Sequence, residues 1–253
     1  MKVIYTASRN LYPYLYPSII SLLEHNDVER IYLLLEDGRL PIHLPKLPKE
    51  CAIIDVSEQR IFDYDGPNFR SKFTYLSMMR VAYTKVLRKL DKVIQLDCDT
   101  IVTDSLEEMW NTDLSNSYFA AVEEAENDHK PWGPKYYNIG VAVFNLEKIR
   151  KDKVDDKVIS LLNTKKLPFI DQDAWNIVGA ETAVDLPVRF NETKFTGITD
   201  NPAIVHFAGV RDWYNNHKMF RHKYIEKYQG THAETTKMIE NLEKKEDLEI
   251  GEF

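Results

Sequence analysis

Four short, almost wholly apolar runs in the first hundred residues, at 3–5 (VIY), 31–35 (IYLLL), 52–56 (AIIDV) and 93–96 (VIQL), most narrow what this chain can fold into. A strand that alternates apolar and polar residues covers a core with one face only. A run without alternation buries both faces and belongs in a parallel sheet packed between helices. Helical patterns fill the first and third gaps between these runs, as crossover connections require. The chain is therefore read as α/β, with a central, mostly parallel sheet flanked by helices. At 253 residues, 43% hydrophobic and 29% charged, it can bury such a core without disulfides or a structural metal.

The third gap predicts one helix over residues 69–90, with Phe73, Leu76, Tyr83, Val86 and Leu90 on one face and Lys72, Lys85, Arg88 and Lys89 elsewhere. Arg80 interrupts that apolar pattern. Residues 36–50 and 63–68 collect Gly and Pro and read as loops. Further strands are expected at 119–122, 140–145, 184–188 and 203–206, and helices at 155–162 and 172–178. There is no internal repeat.

A formal charge of -7 argues against a protein that works by neutralising nucleic-acid phosphates. Two cysteines, Cys51 and Cys98, fit a reducing compartment, and the N-terminal MKVIYTAS turns polar before a signal-peptide core could form. No apolar stretch approaches the roughly 18 residues that span a bilayer. These features predict a cytoplasmic protein. Between residues 211 and 228 the cations Arg211, Lys218, Arg221, Lys223 and Lys227 interleave with Trp213, Tyr214, Phe220, Tyr224 and Tyr228. This pattern suits peripheral contact at the inner face of the plasma membrane, or a helix that packs its aromatics on the domain. The Glu/Lys-rich residues 240–252 are expected to fray.

The sharpest chemical signal is Asp97-Cys98-Asp99, at the end of the fourth apolar run. In extended backbone, residues two apart face the same side, so the two carboxylates can converge on one cation. Twenty aspartates in 253 residues give about 1.6 such triplets by chance, and the chain has three, at Asp63, Asp97 and Asp171. Position separates them: Asp63 lies in a Gly/Pro turn, whereas Asp97 follows a buried strand, where open α/β sheets bind ligands. His206, ending the apolar run 203–205, could complete a mixed carboxylate and imidazole set, which favours Mn²⁺ over Ca²⁺ and also admits Mg²⁺.

Four blocks in order, Asp97-Cys98-Asp99, Tyr137-Asn138-Ile139-Gly140-Val141, Asp171-Gln172-Asp173 with Asn176, and His206-Phe207-Ala208-Gly209, resemble glycosyltransferase family 8, which includes glycogenin and bacterial lipopolysaccharide galactosyl- and glucosyltransferases. The resemblance implies a GT-A nucleotide-diphospho-sugar transferase fold over residues 1–215, followed by a C-terminal helical extension, 216–253, basic and aromatic and then acidic. It implies that Asp97, Asp99 and His206 bind Mn²⁺. Thr6, Ala7, Ser8, Arg9 and Tyr12 would cradle the uracil and ribose of a UDP-sugar donor, with Asp97 and Cys98 beside the ribose. Arg80 would reach the donor's phosphate or sugar, Asn138 the transferred sugar, and Gly140 and Gly209 would allow close backbone approach. Asp171 and Gln172 would lie at the anomeric carbon as the catalytic pair. The expected reaction is retaining hexose transfer from UDP-glucose or UDP-galactose to a saccharide or glycolipid acceptor in bacterial surface-glycan synthesis. Because Gln172 is a weak nucleophile, a front-face route is expected.

The chain departs from the family in its last block, where Gly209 is followed by Val210-Arg211-Asp212-Trp213 and the usual lysine is missing. Arg211 or Lys218 would have to supply that charge. Two alternatives use the same residues. One is a haloacid-dehalogenase-type Mg²⁺-dependent phosphatase with Asp97 as nucleophile, and the other is a catalytically silent sugar-nucleotide-binding protein.

Overall fold

The structure, a computed structural model, describes residues 1–36, 47–71, 73–125, 132–210, 214 and 221–250, with side chains as far as 244. The described elements run β1 (Lys2–Ala7), α1 (Tyr12–His25), β2 (Arg30–Leu35), β3 (Cys51–Asp55), α2 (Tyr75–Met79), α3 (Tyr83–Val86), β4 (Lys92–Leu96) and β5 (Thr100–Val102). They continue with α4 (Glu107–Trp110), β6 (Phe119–Glu123), β7 (Tyr137–Asn145), α5 (Leu146–Lys151), α6 (Val154–Thr164), α7 (Ile170–Gly179), β8 (Val184–Asp185), β9 (Ile204–His206) and α8 (Gln229–Ile250).

Seven strands form the central sheet in the order β3-β2-β1-β4-β7-β6-β8. The β1–β2, β2–β3, β1–β4 and β6–β8 pairings are parallel, while β7 runs antiparallel to both neighbours. All four early apolar runs are strands; β1, β2 and β4 bury both faces, whereas β3, at the sheet edge, leaves Ile53 42% exposed. In β1, Val3 and Tyr5 pack on the side covered by α1, while Ile4 packs against the helices of the opposite face. Leu15, Ile19 and Leu22 of α1 fill the first core, and residues of α2, α3, α5, α6 and α7 fill the second. Strand order reverses between β1 and β4, because β2 and β3 extend one way and β4 leads the other. Such a switch point opens a crevice at the carboxyl ends of the strands.

The single helix expected over 69–90 is instead two short ones, α2 and α3. At the break the backbone bonds tighten to three-residue spacing, Val81 N–H to the Met78 carbonyl at 3.1 Å and Ala82 N–H to that of Met79 at 3.0 Å. Met78, Met79, Val81, Ala82 and Tyr83 are all buried, so this segment has no solvent face for a 3.6-residue pattern to mark. The strand expected at 184–188 is β8 alone, followed by a 3₁₀ turn at Val188–Phe190. β5 went unanticipated. It pairs antiparallel with β9 in a small second sheet that sets Thr100 opposite His206.

The acidic tail does not fray at 240: α8 continues through Ile250. The C-terminal segment docks on α1. Tyr214 stacks on His232 at 3.9 Å between ring centres, Tyr14 of α1 lies 5.0 Å from the same imidazole, and Lys227 and Tyr228 both reach Glu24.

Candidate functional site

Each side chain at the crevice is placed by a backbone feature. Asp97 and Asp99 lie in the turn between β4 and β5, where the Asp97 N–H bonds the Gly140 carbonyl at 2.8 Å. The Thr100 hydroxyl donates to the Asp97 carbonyl at 2.8 Å, holding the turn from below. The β5–β9 pairing carries His206 alongside, with Nε2 3.2 Å from Asp99 Oδ1 and 3.7 Å from Asp97 Oδ2. Ligand atoms of all three residues lie within 4.8 Å of one another. Two carboxylates with one imidazole make a hard, mixed oxygen and nitrogen set that suits Mn²⁺, and the donor chemistry fits that ion.

Arg80 sits between two carboxylates, with NH1 2.7 Å from Asp97 Oδ1 and Nε 2.9 Å from Asp171 Oδ2. The second contact is a close charge pair without hydrogen-bond alignment. The break between α2 and α3 is what frees Arg80, at the end of α2, to turn toward this cluster. Asp171 lies in the first turn of α7, next to the helix's first residue, Ile170, whose φ of 38° is left-handed, a costly conformation for a β-branched residue.

Charge here is strongly tuned. Burial pushes the Asp171 carboxyl up to about 6 against the pull of Arg80, with Asp97 adding to the rise. Burial also raises Asp97, despite Arg80 and His206. Burial works the same way on Asp99, but the His206 imidazole outweighs it and holds that carboxyl below its usual range. His206 in turn rises, because Asp99 and Asp97 outweigh the burial that would depress it.

A register shift in the β6–β7 ladder sets the far wall. Ala121 faces Ala142 but Val122 faces Asn138, so residues 139–141 of β7 leave the β6 register beside the carboxylates. A Cβ on Gly140 would fall 2.6 Å from Asp97 Oδ2 and closer still to His206 Cε1, so a bare backbone is required there. Gly209, at φ 67°, makes the left-handed turn after His206.

Asn138 and Gln172 converge on a carboxylate the sequence reading missed. Glu124, buried at the end of β6, accepts from Asn138 Nδ2 at 2.9 Å and Gln172 Nε2 at 3.2 Å. Asn191 was missed too. It bridges Asn138 and His206 and is fully buried. Neither residue belongs to a spaced motif, and their link to the site appears only in three dimensions.

Thr6 and Ala7 end β1 at the crevice, and Ser8 and Arg9 follow them. The Cys98 thiol donates to the Thr6 carbonyl at 3.5 Å, tying that loop to the Asp97 turn. Ser8 bonds Asn10, and the Arg9 N–H donates to Glu36. Tyr12 differs from its expected place in an open loop. It begins α1 and its ring is buried in the core, 1% exposed. Arg211 and Lys218, the candidates for the missing lysine's charge, lie outside the described residues.

Part of the aromatic and cationic stretch at 211–228 packs on the protein, the second of the two readings given for it. Tyr214 and Tyr228 are buried in the protein, Tyr224 is half-buried, and Arg221 is paired with Glu192. Trp213 and Phe220 lie outside the described residues. No described helix is long and apolar enough to cross a membrane. Two surface clefts of about 610 and 600 Å³ lie elsewhere, lined by none of the crevice residues.

The glycosyl transferase family 8 model matches residues 2–216. General stress protein A of Bacillus subtilis is 26% identical, the alignment covering 90% of this chain and 91% of that protein. A lipopolysaccharide 1,2-glucosyltransferase of Escherichia coli is 26% identical over 50% of this chain and 47% of its own length. This chain also spans only 63% of a Haemophilus influenzae relative. The crystal structure of the galactosyltransferase LgtC with donor and acceptor sugar analogues superposes with a TM-score of 0.72 at 19% identity, covering 91% of this chain and 96% of that one. The shared fold is GT-A, and it overturns the phosphatase alternative. A match that runs through the carboxylate turn, the Gly140 strand, the start of α7 and His206 places the chain in glycosyltransferase family 8.

Proposed function

We propose that this chain transfers glucose or galactose, with retention, from a UDP-sugar to a saccharide or glycolipid acceptor of a bacterial surface glycan. The observation that carries the reading is the convergence of Asp97, Asp99 and His206 at the crevice, with Arg80 and Asp171 alongside. The surface-glycan assignment draws on the lipopolysaccharide enzyme among the relatives.

Asp97, Asp99 and His206 would hold Mn²⁺. When bound, the ion supplies Lewis-acid neutralisation of charge on the departing diphosphate. Arg80 orients Asp97 and Asp171 and adds a fixed positive charge beside the leaving group. Gly140 keeps the wall low enough for the sugar to approach the carboxylates. Asp171 stands where positive charge grows on the anomeric carbon, and Gln172 offers an amide in place of a strong nucleophile. This pairing favours attack by the acceptor hydroxyl on the face the diphosphate leaves. The loop at Thr6–Arg9 would take the uridine, residues 1–215 would form the catalytic domain and 216–253 its docked extension, working in the cytoplasm.

Thermal unfolding with Mn²⁺, UDP, both, or Mg²⁺ with phosphate tests the site. Saturation at a hundredfold over Kd adds about 2.7 kcal/mol, a rise of roughly 5–10 °C for a domain of this size. The expected result is a shift that needs Mn²⁺ and UDP together, followed by Mn²⁺-dependent turnover of UDP-glucose or UDP-galactose. No joint shift would overturn the donor site, and a joint shift without turnover of any donor would favour the silent sugar-nucleotide-binding alternative.

A further inference from the structure

We propose that Asn191 is a positioning residue whose side-chain amide fixes which nitrogen of His206 faces Asp97 and Asp99. This rests on the metal reading of the crevice and extends it to Asn191, a residue assigned to neither metal nor donor.

The argument is one of donors and acceptors in a buried chain. The Glu124 carboxylate accepts from Asn138 Nδ2 at 2.9 Å, so the Asn138 oxygen points the other way. The Gly140 backbone N–H, which can only donate, reaches that oxygen at 3.2 Å and fixes the same orientation independently. Asn191 Nδ2 donates to it at 3.0 Å, which turns the Asn191 oxygen toward His206. That oxygen lies 2.9 Å from His206 Nδ1. An amide oxygen only accepts, so Nδ1 carries the hydrogen. A neutral ring protonated at Nδ1 keeps its lone pair on Nε2, the nitrogen that faces Asp99 and Asp97. The opposite tautomer would aim a hydrogen at the cation.

The chain is also rigid. Glu124, Asn138, Asn191 and His206 are 7%, 5%, 0% and 4% exposed, so water cannot readily substitute for any link. Backbone bonds hold Asn191 in register with its histidine, since Glu192 N–H reaches the Ile204 carbonyl at 3.0 Å and His206 N–H reaches that of Glu192 at 2.9 Å. Asn191 therefore acts on the site through His206.

The test is Mn²⁺ affinity with UDP present, read from the electron paramagnetic resonance of free Mn²⁺, in the full chain, Asn191→Ala, His206→Ala and the double variant. Metal-free thermal unfolding confirms that each is folded. Loss of such an outer partner typically weakens binding 10- to 100-fold, so Asn191→Ala is expected to raise the Mn²⁺ Kd at least about tenfold. In the His206→Ala background the same substitution should change nothing further, since the residue acts only through that ring. An unchanged Kd in Asn191→Ala, or an equal loss in both backgrounds, overturns the proposal. Nitrogen-15 spectra of His206 in the unaltered protein with Zn²⁺ and UDP give a readout that needs no variant. A hydrogen on Nδ1 is expected, and one on Nε2 overturns the tautomer. Absence of Mn²⁺ binding by the unaltered protein would instead remove the metal reading itself, and the relay with it.

Discussion

Gly140 shows how closely single residues are fitted at this site. Its missing side chain is what lets Asp97 and His206 meet, because a Cβ there would fall 2.6 Å from Asp97 Oδ2. Those neighbours are held by Arg80 and Asn191 and have little room to yield. Gly140→Ala is expected to cost about 1–3 kcal/mol of stability through overpacking and to abolish the joint Mn²⁺ and UDP stabilisation. Thermal unfolding with and without both ligands checks this, and an unaltered ligand shift would show that the wall can move. The same residues mark how far the sequence could be read. Asp97 and Asp99 were legible because two-residue spacing at a strand end is a local signal. His206 was a candidate from its place at a strand end, but only the order of four blocks set it apart from an ordinary buried histidine. Glu124 and Asn191 carried no signal, since their relation to the site runs through hydrogen bonds to Asn138, 14 and 53 residues away along the chain.

Among the elements, α2 and α3 best explain where pattern reading failed. Residues 78–83 are buried all round except at Arg80, so no apolar stripe could announce the break that aims Arg80 at Asp97 and Asp171. The short α3 is held by one buried acid. Asp155 of α6, 2% exposed, accepts from the Thr84 hydroxyl at 2.5 Å and pairs with Lys85 at 2.9 Å. Burial alone would raise this carboxyl, but the Thr84 hydroxyl and Lys85 ammonium outweigh it and hold it below its usual range. A carboxyl that is more acidic in the folded state contributes stability above the unfolded value, about 3.9, and loses it as pH falls through the folded value. Asp155→Asn should therefore lower stability at pH 7 by about 1–3 kcal/mol, at the lower end because Lys85 is partly exposed. The difference from the unaltered protein should shrink at acid pH. Urea unfolding at pH 7 and pH 3 measures both, and a constant difference would show that the acid's charge is immaterial.

At the scale of the whole molecule, the C-terminal segment is tied into the fold that carries the crevice, because a cation it carries pairs with an acid buried beside that crevice. Glu192 is fully buried next to Asn191, and Arg221 grips it with two bonds, Nε to Oε1 at 2.6 Å and NH2 to Oε2 at 2.9 Å. The Thr199 N–H donates to the same carboxylate at 2.7 Å. Removing one partner of a buried ion pair leaves the other charge without compensation, at a cost of about 3–5 kcal/mol. Arg221→Ala should then lower Tm by about 5–15 °C, water around the partly exposed guanidinium setting the lower figure. Since Glu192 holds its segment against β9, the same variant should also weaken Mn²⁺ retention, although Arg221 touches no ligand of the metal. Adding Glu192→Gln removes the orphaned charge while keeping an acceptor for Thr199, so the double variant should recover most of the lost stability. A double variant as unstable as Arg221→Ala would mean that packing of the C-terminal segment, and not charge compensation, is what the arginine supplies.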